Sequence, residues 1–150
     1  MICIGFTRSC MVKIAISLLI SSIVLISCCG KKDKYSDIRD TISEMSGCYE
    51  DVIRDLQHAK KGKDVAKALN KFTDHVSPLM NRAKALGEKY PEFNLSQSDG
   101  TPREIESEVR RYKKLTEKFI SPDTMKKVMK FSQDPDVIKA QQHMIETIGM

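Results

Sequence analysis

Apolar residues recur at alternating steps of four and three along two long stretches of this chain. The first series is Ile38, Ile42, Met45, Tyr49, Val52, Leu56 and Ala59, and the second is Val65, Leu69, Phe72, Val76, Leu79, Ala83, Leu86 and Tyr90. Such spacing returns side chains to one narrow seam of an α-helix. A half-buried strand needs period two, and no stretch keeps that period for long enough. The pattern therefore predicts two long helices whose seams face a common core, with Ile53 widening the first. The turn between them is short, which predicts antiparallel packing.

The ends of these helices have their own signals. Lys60-Lys61-Gly62-Lys63 is expected to finish the first helix, with glycine in the C-terminal turn and lysines at the negative end of the dipole. Asp64 is expected to cap the second. Pro78 removes a backbone hydrogen bond and predicts a kink around residues 74–78. Gly87 weakens the end of that helix and Pro91 stops it. Residues 91–101 read as a polar loop that carries Phe93 and Leu95. Thr101-Pro102-Arg103-Glu104 reads as a capping box with proline at the first helical position. A third helix follows, with Ile105, Val109, Tyr112, Leu115, Phe119 and Ile120 inward and Glu106 opposite Arg110 on its charged face.

Ser121-Pro122-Asp123 restarts the chain. Met125, Val128 and Met129 mark a short helix, and Asp134-Pro135 opens another with Val137, Ile138, Gln141, Met144, Ile145 and Ile148. The expected fold class is all-α: a small antiparallel bundle of about four helices over residues 36–150, the last one interrupted near Asp134-Pro135. With no tryptophan and 6% aromatic residues, its core is expected to be aliphatic and methionine-rich.

Upstream lies a different kind of sequence. Residues 1–27 carry Arg8 and Lys13 and no acidic residue, and residues 14–26 form an apolar run of thirteen. A spanning helix needs about 20, so the run matches a secretory leader instead. Met11-Val12-Lys13 offers a second start for it. The run ends in Leu25-Ile26-Ser27-Cys28, which resembles the lipobox of bacterial lipoproteins. That resemblance implies removal of residues 1–27 as a signal peptide, a diacylglycerol on the Cys28 thiol and a further acyl chain, such as palmitate, on the freed amine. Each buried methylene contributes about 0.8 kcal/mol, so two or more chains hold firmly. It also implies attachment to the bacterial cell membrane. Cys29 stands where inner-membrane lipoproteins carry aspartate, which favours the periplasmic face of the outer membrane in a Gram-negative cell. Residues 28–35 would be the lipidated N-terminus and tether, with a reach of roughly 25 Å. Lys31, Lys32 and Lys34 either touch anionic head groups, at about 1 kcal/mol each, or stay solvated.

The whole chain is +5 and Arg8 with Lys13 account for +2, leaving +3 after cleavage. That mild balance gives no expectation of nucleic-acid binding, which needs a clustered basic face. Cys3 and Cys10 leave with the leader. Cys29 and Cys48 remain, too few for a disulfide framework, and either pair in an oxidising compartment or stay separate.

Chemistry is sparse. There is no P-loop, Gly-rich nucleotide turn or HExxH. Asp74, His75 and Ser77 share one helix but point different ways, and a triad needs convergence at a cleft. His58, His75, His143 and Cys48 lack metal-ligand spacing. No catalytic residue, metal or cofactor is therefore assigned. Met45 and His143 resemble the axial pair of periplasmic b-type cytochromes, which are four-helix bundles. That resemblance implies haem in the bundle core and supports an alternative reading, a carrier of haem or a small apolar ligand. On a helical wheel, however, His143 lies about 160° from an apolar face centred near residues 141 and 145. The leading expectation is a membrane-tethered, non-enzymatic interaction or structural module of the cell envelope, with an envelope protein as partner. Phe93 and Leu95 are its candidate contacts, since loops on rigid scaffolds often bind. Their other role would be to close the end of the bundle.

Overall fold

The computed structural model describes residues 33–91 and 101–149. Tyr35–Met150 forms one compact unit. Its elements are α1 (Ser36–His58), α2 (Gly62–Lys89), a 3-10 turn (Arg103–Ile105), α3 (Glu106–Phe119), α4 (Pro122–Lys130) and α5 (Pro135–Ile148). No strand occurs among the described residues.

The two heptad series became α1 and α2, which form the central pair. Ion pairs Asp37–Lys89, Glu44–Arg82 and Asp55–Lys71 run in opposite sequence order along them, so they are antiparallel. α3 packs on α1 and α5 on α2. Both outer pairings are parallel. Arg39 meets Glu108 and Glu50 meets Arg111 along α1 and α3. Asp134 sits beside Gly62, and His143 meets Asp74 further along α5 and α2. The antiparallel expectation thus holds for the central pair and gives way at the flanks. A helix entering at the end where its predecessor finished must run opposite to that predecessor. When it packs beside the helix before that one, the new pair is parallel.

The main core joins α1, α2, α3, α4 and α5 through Val52, Leu56, Leu69, Phe72, Phe119, Val128 and Val137, all buried. Leu56 is completely buried, which contributes about 1.5–3 kcal/mol. Tyr49 is the hub of an aromatic cluster, with ring centroids 5.0 Å from Phe72, 5.6 Å from Tyr112 and 5.6 Å from Phe119. A smaller cluster of Ile38, Ile42, Ile105 and Val109 closes the end near Tyr35 and Tyr90. The core is largely aliphatic around the aromatic cluster, which the composition did not lead one to expect. Met45 is its buried methionine among the described residues, Met125 and Met144 pack against it partly buried, and Met80 and Met129 are exposed.

Several local expectations are corrected. α1 ends at His58, and Gly62 is the buried first residue of α2 rather than the last turn of α1. Asp64 lies one turn inside α2, where its Oδ2 accepts from the backbone N–H of Lys60 and Lys61 at 3.0 and 3.1 Å. The expected Pro78 kink is not among these corrections: Pro78 lies inside α2, which is one continuous helical element. The capping box at Thr101-Pro102-Arg103-Glu104 does not form; a 3-10 turn leads into α3 with no side-chain cap. Ile120 and Ile145, expected inward, are 61% and 56% exposed, and Met129, which marked the short helix, is 70% exposed. On α5 the buried residues are Val137 and Ala140. Among the described residues α2 is the helix most extensively packed against α5 and draws in that side of it.

Candidate functional site

Cys28, Phe93 and Leu95 lie outside the described residues. The same holds for Cys29, so its pairing with Cys48 is left open. Cys48 is half-buried on α1 and has no disulfide partner among the described residues. Burial pushes it above the ordinary thiol range, and Asp51 and Glu44 push it further. A thiol held in its neutral form is a poor nucleophile.

Met45 and His143 have different surroundings. Met45 is buried in the main core. His143 stands at the flank of α5, where its Nε2 donates to Asp74 Oδ1 at 3.1 Å. The Thr147 hydroxyl donates to Nδ1 of the same ring at 3.3 Å. One neutral tautomer, protonated on Nε2, satisfies both bonds. His58 is exposed, with Nδ1 2.7 Å from the Arg54 carbonyl. His75, placed at the seam margin by its spacing, is exposed as well. Among the described residues, no three His, Cys, Asp or Glu side chains converge as metal ligands.

Asp74, His143 and Thr147 form a chain with the order of a catalytic triad. Its setting is wrong for acyl transfer, which needs N–H donors where an oxyanion develops. Thr147 lies in the last turn of α5, where a helix presents free carbonyls and negative potential. The pair instead clips α5 to α2.

The concave surface beside this clip is the most developed polar feature of the unit. An open groove of about 820 Å³ runs between α2 and α5, with Lys63, Lys67, Lys71, Lys139 and His75 along it and Ala66 at its floor. Three carboxylates also line it, Asp64, Asp74 and Asp136. Asp64 holds backbone N–H groups and Asp74 holds His143. Lys71 is taken up by Asp51 and Asp55 of α1 at 3.5 and 3.4 Å. Lys63, Lys67 and Lys139 make no ion pair among the described residues. Lysines at 63, 67 and 71 are one turn apart and legible in the sequence as one stripe. Lys139 joins them only because α5 packs parallel to α2, which no spacing announces.

The buried polar groups point to no second site. Burial, reinforced by Tyr112, pushes the Tyr49 hydroxyl far above the ordinary tyrosine range. Ser46 Oγ is the buried side-chain polar atom left without a partner among the described residues. No helix among them is long and apolar enough to cross a membrane. No family model, curated protein or solved structure matches this chain.

Proposed function

We propose that this protein is a lipid-anchored component of the bacterial cell envelope, a non-enzymatic helical module that docks a partner protein close to the bilayer. The observation that carries the reading is Leu25-Ile26-Ser27-Cys28 at the end of a short apolar run with a positive start and no acidic residue. Cys28 is seven residues before Tyr35, the first residue of the compact unit. A lipid on Cys28 would hold that unit within roughly 25 Å of its anchor. In this reading the helices are an interrupted four-helix bundle used as a rigid scaffold. Phe93 and Leu95, on the loop between α2 and α3, are contact residues of that scaffold. The periplasmic face of the outer membrane is the expected location in a Gram-negative cell.

Metabolic labelling with an alkyne-bearing palmitate in a bacterial host tests the anchor. Wild-type protein is expected to incorporate the label and fractionate with membranes. Cys28→Ala is expected to lose the label and accumulate as a precursor retaining residues 1–27. A wild-type chain that stays unlabelled, with its leader attached, overturns the reading.

A further inference from the structure

We propose that the groove between α2 and α5 binds an acidic peptide segment of a partner protein through Lys63, Lys67 and Lys139. The proposal rests on the docking function above and names the chemistry of the partner.

The argument begins with uncompensated charge. Among the described residues, three ammonium groups on the groove have no carboxylate partner, while two of its three carboxylates are committed, one to backbone N–H groups and one to His143. Only the Asp136 carboxylate is uncommitted. Like charges one turn apart oppose helix formation, so Lys63 and Lys67 are a local liability for α2. An acidic ligand reverses that sign.

The shape selects among anions. Lys63 and Lys67 stand on α2 and Lys139 on α5, so the charges line two walls of a trench rather than one convex face. Lysines four apart on a helix are about 6 Å apart along its axis. Carboxylates on alternate residues of an extended peptide are about 6.6–6.8 Å apart, a close match. Because α2 and α5 are parallel, their N-termini lie side by side at one end of the trench, as the contact of Gly62 with Asp134 requires. Their dipoles add positive potential there. The basic face of α3 is also concave in places, but its lining comes from one helix and the turn before it, and Arg110 and Arg111 there are paired with Glu106 and Glu50.

The test uses the full chain in a neutral detergent and a fluorescein-labelled peptide of alternating Glu and Ala, read by anisotropy. Wild-type protein is expected to bind, more weakly as salt is raised. Lys63→Gln/Lys67→Gln/Lys139→Gln is expected to lose roughly tenfold in affinity, the sum of three exposed pairs, with a slightly raised melting temperature as the repulsion within α2 is relieved. The control Lys113→Gln/Lys114→Gln/Lys118→Gln removes equal charge from α3 and is expected to bind as wild type. Equal losses in both variants would reduce the binding to net charge and overturn the proposal. Binding to phosphatidylglycerol vesicles with no peptide binding would overturn it in favour of a lipid surface. The labelling experiment reads the anchor independently, so an unlabelled chain that still binds the peptide refutes only the tether.

Discussion

The carboxylate of Asp64 holds two backbone N–H groups ahead of α2, and that single contact illustrates how residue chemistry becomes stability. Hydrogen bonds from the Lys60 and Lys61 N–H groups hold its carboxyl below the ordinary carboxylate range. A lowered value in the folded state means that folding favours the charged form. The contribution is present above about pH 4, the unfolded value, and is lost as pH falls through the lowered folded value. The melting temperature of the wild type is expected to fall across that acid window. Asp64→Asn, which takes up no proton there, is expected to fall less steeply. Identical slopes would show that this carboxylate does not couple to folding. The sequence marked Asp64 as a helix-start residue, and it is one. Its place, three residues after the N-cap rather than at it, followed from Gly62 entering the helix.

Gly62 enters α2 because of what lies against it, and here the element is the relevant scale. A Cβ at this position would overlap the side chain of Asp134. Asp134 is itself the N-cap of α5, accepting from the Asp136 N–H at 3.0 Å. The two helix starts are interlocked: glycine makes room for the residue that caps its neighbour. Gly62→Ala is expected to destabilise by about 1–3 kcal/mol through overpacking. Asp134→Ala is expected to lose about 1 kcal/mol of capping. Together they should lose less than the sum, because removing the carboxylate relieves most of the overlap. Urea unfolding of the four proteins measures the coupling, and strict additivity would refute the interlock. The sequence signals for glycine were read as a helix stop, since glycine most often serves there. Only the approach of a second helix gave Gly62 its role. Asp134-Pro135, by contrast, was legible, because a capping residue followed by proline at the first helical position acts locally.

At the scale of the whole molecule, few residues join the helices into one cooperative unit, and Phe119 is one of them. It ends α3, is buried, and packs 5.3 Å from Phe72 of α2 and 5.6 Å from Tyr49 of α1 by ring centroids. Phe119→Ala is expected to destabilise by about 3–5 kcal/mol, a large fraction of the stability of a small domain. Thermal or urea unfolding by circular dichroism measures it. A loss below about 1 kcal/mol would mean that α3 docks by other contacts.

The α-helical class, the seams of α1 and α2, the short antiparallel turn between them and the interruption before α5 were written in the chain itself. Each depends on residues within a few turns of one another, so periodicity and capping chemistry suffice. The parallel docking of α3 and α5, the inward side of α5, the exposure of Ile120, Met129 and Ile145, and the meeting of Lys139 with Lys63 and Lys67 were decided only in the assembled unit. An amphipathic pattern tells a helix which side is apolar, but not which neighbour will cover it. That choice depends on loop reach and on how the bulk of the aromatic cluster is shared among three helices.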